Sequence, residues 1–137
     1  MRDFRIVVAA HGGLAAALVR SAELICGELR DVTPVGIAPT QTPETFGVEL
    51  RRVLERDDRP VLVLTDLDGG SPTVVAATIA SGRRGTTLIV AGVTLGMLVE
   101  AATGMEHLDE AAVVRLVERG RSGIVDVSTR LARRATA

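Results

Sequence analysis

Two apolar runs in this chain end in residues that can do chemistry. Ile6-Val7-Val8-Ala9-Ala10 leads into His11-Gly12-Gly13, and Val61-Leu62-Val63-Leu64-Thr65 leads into Asp66-Leu67-Asp68-Gly69-Gly70-Ser71-Pro72. In an open parallel sheet, ligands collect outside the carboxyl ends of the strands, where the winding reverses. If the two runs are neighbouring strands, His11 and Asp66 face each other across that crevice. An imidazole nitrogen can attack a phosphoryl group and hold it as a labile phosphoramidate. The other ring nitrogen must then carry a proton, and a carboxylate such as Asp66 orients the ring by accepting it.

The glycine turn supplies a second part. Gly12 lets backbone approach a ligand after His11, while Gly69 and Gly70 permit a turn with inward N–H groups. Ser71 is placed to cap the helix that Pro72 opens, and such a helix start attracts phosphate oxygens. Each piece also has a plainer reading: a structural histidine, an Asp that caps its own turn, an ordinary capped helix. It is the pairing of His11 with the turn that favours chemistry.

Other chemistries lack their parts. There is no lysine, so the Gly-x-x-x-x-Gly-Lys-Ser/Thr nucleotide loop is absent, as are the Gly-x-Gly-x-x-Gly fingerprint and the Gly-x-Ser-x-Gly elbow. His11 and His107 are the only imidazoles, and His107 lies in the polar turn Gly104-Met105-Glu106-His107, which reads as solvated. Cys26 is the only cysteine, which excludes an internal disulfide or a cysteine cluster; in Ala22-Glu23-Leu24-Ile25-Cys26 it reads as a small buried hydrophobe. The histidine chemistry needs no metal, nucleotide or other cofactor.

These residues must be positioned by a sheet, and the pattern provides one. Apolar runs bounded by turn residues alternate with helix-period segments, as in a parallel sheet with crossover helices. Strands are expected over Phe4 to Ala10, Val32 to Ile37, Val61 to Thr65 and Thr87 to Gly92. Pro34 and Gly36 place the second at an edge, and the fourth reads as buried. Helices are expected from Leu14 to Glu28 with a stripe of Leu14, Leu18, Ala22 and Ile25, and from Thr42-Pro43 to Arg56. Three more run from Ser71 to Ser81, from Leu95 to Ala102, and from Leu108 to Val117 or beyond, where Gly120 and Gly123 interrupt. The tail from Arg121 to Ala137 reads as helix or as an irregular, antiparallel edge segment. The expected fold is a doubly wound α/β domain over 1–137, with four parallel strands in the order 2-1-3-4 and helices on both faces.

Composition sets outer bounds. The chain has 137 residues, 47% of them hydrophobic, enough for one core. The net charge of -1 offers no basic footprint for nucleic acid, and two aromatics, Phe4 and Phe46, are too few for a stacking platform. All sixteen basic residues are arginine, which reads as compositional bias. With no signal segment at the start and no uncharged stretch long enough to span a membrane, a cytoplasmic protein is expected.

Taken together, the chain resembles the IIA component of the mannose/fructose/sorbose class of the bacterial phosphoenolpyruvate-dependent sugar phosphotransferase system. The likeness is carried by Ile6 to Ala15 with Ser21 to Leu24, by Val61 to Pro72, and by Val90 to Glu100, and Gly120-Arg121-Ser122-Gly123 fits the family's C-terminal region. The resemblance implies that His11 accepts a phosphoryl group from the phosphocarrier protein HPr and passes it to a IIB component. Asp66 would be its carboxylate partner, and Gly12, Gly69, Gly70 and Ser71 would bind the phosphoryl group. It further implies a homodimer, sometimes with exchanged C-terminal elements, that meets the membrane only through a IIC/IID permease. With 137 residues, the acceptor IIB is expected as a separate polypeptide.

There are departures from the family pattern. Ala10 stands where Thr is common, Asp68 where an apolar or aromatic residue is usual, and Thr94 and Gly96 where Asn and Pro are usual. At roughly 6 Å and an effective dielectric near 20, Asp68 would repel a unit negative charge by about 3 kcal/mol, less if exposed. These changes motivate an alternative, a regulatory or binding protein on the same fold. A dihydroxyacetone-kinase phosphotransfer subunit is a third reading, which the Gly-Gly-Ser-Pro turn fits less well.

Overall fold

The computed structural model describes residues 2–136. Four parallel strands, β1 (Arg5–His11), β2 (Val32–Ile37), β3 (Val61–Thr65) and β4 (Thr87–Ala91), form one sheet in the order β2-β1-β3-β4. The helices are α1 (Leu14–Cys26), α2 (Pro43–Leu54), α3 (Ser71–Gly82), α4 (Leu95–Gly104), α5 (Glu110–Ser122) and α6 (Val127–Thr136). The expected class, strand number and order are those observed.

Alternation along the strands builds two cores. Ile6, Val8 and Ala10 of β1, with Leu62 and Leu64 of β3, face α1, α4 and α5 through Ala15, Val19, Ala22, Leu98, Ala101 and Leu116. Val7 and Ala9, with Val61 and Val63, face α2 and α3 through Phe46, Leu50, Leu54, Ala76 and Ile79. β1 and β3 are covered on both sides, which explains their continuous apolar sequence. They pair directly, Arg5 against Val61 through Ala9 against Thr65. The winding reverses between them, and the crevice at their carboxyl ends lies between the last residue of β1 and the first residue past β3.

Several elements differ from their sequence expectation. β1 starts at Arg5 and includes His11, so the histidine is held by strand pairing, His11 against Ile37 of β2. In α1 the buried residues are Ala15, Val19 and Ala22; of the expected stripe Ala22 is buried and Leu18 packs partly buried against the core, while Leu14 and Ile25 are exposed. The smaller side chains face the sheet and let the helix lie close. α1 stops at Cys26 because Gly27 turns at φ 78°; Cys26 is half-buried, its thiol donating to Ala22 O at 3.0 Å. α2 ends at Leu54, short of Arg56. β4 is an edge strand with only Val90 buried, since it pairs with β3 alone. α5 continues through Gly120, where a Cβ would stand 2.6 Å from the Met97 methyl, so the glycine is a packing residue and not a break.

Among the described residues the C-terminal segment adds no antiparallel edge strand. It forms α6, capped by Asp126, which accepts from the Thr129 amide at 3.0 Å and from its hydroxyl. No residue of α6 is buried. Local capping bonds outweigh strand pairing there within one copy of the chain.

At the amino end of the sheet, opposite the crevice, arginines tie the elements together. Arg5, 1% exposed, donates to Asp57 Oδ1 (3.2 Å), Val53 O (2.9 Å) and Leu54 O (2.9 Å). Arg83 donates to the carbonyls of Leu54, Asp57, Arg59 and Thr86. Both satisfy carbonyls at and after the end of α2, which a lysine's single ammonium could not span. Part of the arginine bias is therefore structural. Burial raises the Asp57 carboxyl pKa, but hydrogen bonds from the Arg59 side chain and backbone, with the Arg5 charge, outweigh it and bring it to about 2.

A carboxylate held this low stabilises the fold above its ordinary pKa, and the contribution is lost as pH falls from 3.8 towards about 2. Arg5→Met, which keeps the buried stem but strips three donors, should cost about 3 kcal/mol at neutral pH. Urea unfolding of the two proteins measures it, and the variant should lose less stability than the parent across that acid window.

Candidate phosphoryl-transfer site

His11 and Asp66 meet across the crevice. The β1–β3 register places Asp66 one step past Thr65, and its carboxylate reaches back over the end of β1. Asp66 Oδ2 accepts two hydrogen bonds from one residue: the His11 backbone amide at 3.0 Å and the ring Nδ1 at 2.8 Å. The imidazole is 48% exposed and the carboxylate 10%. Burial pushes the Asp66 pKa up, yet the backbone and ring hydrogen bonds from His11 prevail and hold it below the usual carboxylate range. Asp66 is thus an anion at neutral pH, and in the neutral form of the ring the proton sits on Nδ1, facing it, so that the lone pair is on Nε2.

The alternation that sends Val7 and Ala9 towards α2 and α3 sends His11 the same way, in front of the first turn of α3. Gly70 makes room for it: a Cβ there would lie 3.1 Å from His11 Cε1. On the other flank Gly36 of β2 admits the turn after His11, because a Cβ would stand 2.2 Å from Gly12 O. Gly12 and Gly69 both turn at positive φ, 59° and 77°.

One expected detail is corrected. Ser71 does not cap α3; Gly70 occupies the cap position without any side-chain bond, and Ser71 is the first helical residue. Its hydroxyl is therefore not consumed by capping. Pro72 has no N–H, and the Gly70 amide bonds Leu67 O at 3.3 Å. The first-turn donors without an intrahelical acceptor are the amides of Ser71 and Thr73. Asp68 is exposed at the apex of the turn, where solvent screens its charge. Thr94, in the neighbouring turn, caps α4 by accepting from the Met97 amide at 3.1 Å.

Sequence reasoning missed the hydroxyl pair behind the turn. Thr65 is fully buried, and its Oγ1 lies 2.6 Å from Thr73 Oγ1, which also contacts Leu67 O at 2.6 Å. The only available signal was a threonine closing a buried strand, whose hydroxyl must find a partner. His107 is exposed as expected, and its Nδ1 pairs with Asp3 Oδ2 at 2.6 Å, far from the crevice on the opposite end of the fold.

The fold and crevice define an open parallel α/β domain presenting a carboxylate-held histidine beside a helix start. Comparison with known proteins identifies the family. Residues 5–118 match the family described as the PTS system fructose IIA component, and the chain belongs to that family. It is 33% identical over 124 residues to the PTS system mannose-specific EIIAB component of Escherichia coli (strain K12), covering 87% of this chain but 38% of that protein. Among solved structures, the phosphotransferase system component EIIA from Streptococcus agalactiae superposes with a TM-score of 0.84 at 30% identity, covering 92% of this chain and 98% of the other. The mannose/sorbose specific IIA subunit from Enterococcus faecalis gives 0.83 at 30% identity, covering 93% and 96%.

The geometry makes Gly70 a sharp test. Gly70→Ala should leave the fold standing, because the crowded neighbour is a half-exposed ring, but should push His11 off Asp66. The Nδ1 hydrogen bond, read from the ring ¹⁵N shifts, should weaken in the variant. Gly36→Ala sets its Cβ against backbone instead and should destabilise the protein by about 1–3 kcal/mol in denaturant titration.

Proposed function

We propose that this chain is a single phosphocarrier domain that takes a phosphoryl group onto Nε2 of His11 and hands it to an acceptor in sugar uptake. The observation that carries the reading is the Oδ2–Nδ1 hydrogen bond at 2.8 Å, which leaves Nε2 as the free nucleophile. In this reading, as the sequence resemblance implies, HPr is the donor, a IIB component the acceptor, and a IIC/IID permease the link to the membrane. Among the described residues no helix is long and apolar enough to cross a membrane, in keeping with a cytoplasmic carrier.

The transfer balances simply. The Nε2 lone pair attacks phosphorus, the N–P bond forms, and the donor's bond to phosphorus breaks with its electron pair returning to the donor. The ring becomes cationic, and the ionised Asp66 stabilises it without taking the Nδ1 proton. The Ser71 hydroxyl, the Ser71 and Thr73 amides and the open turn at Gly12, Gly69 and Gly70 receive the phosphoryl oxygens. Transfer onward reverses these steps.

The carrier acts as a homodimer. Ile124, Val125, Val127 and Leu131 are exposed in a row leading into α6, and the outer edge of β4 is unpaired among the described residues. An exposed apolar run and a free strand edge are each covered more favourably by protein than by water.

Incubation with phosphoenolpyruvate, enzyme I and HPr should give one acid-labile phosphoryl adduct by intact mass, absent in His11→Ala. Asp66→Asn should slow uptake by at least about tenfold, having lost the anion that holds the ring. No adduct on the parent protein, with a working IIA in the same mixture, would overturn the reading. Sedimentation should show a dimer, and Leu131→Asp should shift it towards monomer.

A further inference from the structure

The Asp66 carboxylate orients His11, but little in its own bonding orients Asp66. Oδ1 is buried and accepts no hydrogen bond among the described residues, and Oδ2 is bonded only to His11, the residue it must hold. An independent anchor has to act on the backbone that carries Asp66. The structure has one. Thr73, in the first turn of α3, bonds the side chain of residue 65 and the carbonyl of residue 67, the two residues on either side of Asp66.

The protons in this link have one arrangement. Leu67 O can only accept, so the Thr73 hydroxyl donates to it; Thr65 then donates to Thr73 Oγ1. Both distances are 2.6 Å, and Thr65 is fully buried, so its hydroxyl has no water to turn to. Leu67 O also receives the Gly70 amide at 3.3 Å, which ties the same carbonyl to the glycine that flanks the His11 ring. A directed chain, Thr65 to Thr73 to Leu67, thereby fixes the end of β3, the turn and the start of α3 as one unit.

We infer that Thr73 is a positioning residue for the transfer: its hydroxyl clamps both neighbours of Asp66 and so sets the Nδ1–H form of His11. The inference rests on the phosphocarrier reading for its kinetic consequence, but not for its tautomer consequence. Thr73→Val keeps the shape and removes the hydroxyl, leaving the buried Thr65 donor unpaired and the Leu67 carbonyl released. The Asp66 carboxylate then samples positions in which Oδ2 no longer meets Nδ1. Thr73→Ser restores the donor and acceptor.

The test uses the full chain with ¹⁵N-labelled histidine. With only two histidines, His11 and His107, a His11→Ala spectrum assigns the rings, and two-bond ¹⁵N–¹H correlations read the tautomers. The ratio of Nδ1–H to Nε2–H forms at His11 should fall about tenfold in Thr73→Val and return within twofold of the parent in Thr73→Ser. The rate of phosphoryl uptake from phospho-HPr should fall and recover in parallel, by about tenfold or more, as expected when a reacting group is misplaced.

A Thr73→Val protein that melts earlier yet keeps the parental tautomer ratio would overturn the inference, since a merely structural hydroxyl moves stability alone. Should that variant fail to fold, Thr65→Val cuts the same chain at its first link and is held to the same outcomes. If the parent protein takes up no phosphoryl group at all, the phosphocarrier reading fails, while the tautomer ratio still decides the role of Thr73.

Discussion

One carboxylate oxygen, Asp66 Oδ2, holds both the backbone and the ring of His11, and the rest of the crevice is arranged around that double bond. The backbone contact fixes where the ring begins and the ring contact fixes how it is turned. Two bonds to one oxygen also explain why a carboxylate this buried stays ionised. Desolvation alone would favour the neutral acid, and a neutral Asp66 would neither hold the Nδ1 proton nor balance a cationic ring. The chemistry and the electrostatics impose the same condition on the same atom.

The fold supplies that condition through topology. β1 and β3 are adjacent although α1, β2 and α2 separate them in sequence, and only this order sets residue 11 beside residue 66. Their burial on both faces leaves them little freedom to shift, because a slip of one residue would exchange the two cores. At the far end of the sheet, Arg5 and Arg83 bind the end of α2 and the following loop, away from the crevice. Stability is thus concentrated at the amino end of the strands, and open hydrogen-bonding capacity at the carboxyl end.

The sequence made the strands, their parallel arrangement and the His11–Asp66 pairing legible, because these follow from apolar runs punctuated by polar turns. What stayed hidden depended on side chains finding partners far along the chain. Nothing in the sequence marked Arg5 for burial, yet it is buried because Val53, Leu54 and Asp57 offer it acceptors. The α1 stripe was right at Ala22 and in part at Leu18, but Leu14 and Ile25 face solvent while the smaller Ala15 and the β-branched Val19 lie against the sheet. Ser71 read as a cap because serine before proline usually is one, whereas the turn here brings Gly70 to that position. Thr73 carried no local signal at all; its role exists only once Thr65 and Leu67 are beside it. The tail read as either helix or strand, and α6 forms because Asp126 caps it locally.

The central claim is that Asp66 reserves Nδ1 and leaves Nε2 to receive the phosphoryl group. It is tested most directly by the ³¹P and ¹⁵N spectrum of the phosphorylated, ¹⁵N-histidine-labelled protein. Phosphorus coupled to Nε2 of His11, with Nδ1 still protonated, is the result this account predicts. Coupling to Nδ1 would contradict it, as would a phosphoryl group on another residue such as Ser71, because the hydrogen bond at the heart of the site would then be holding the wrong nitrogen.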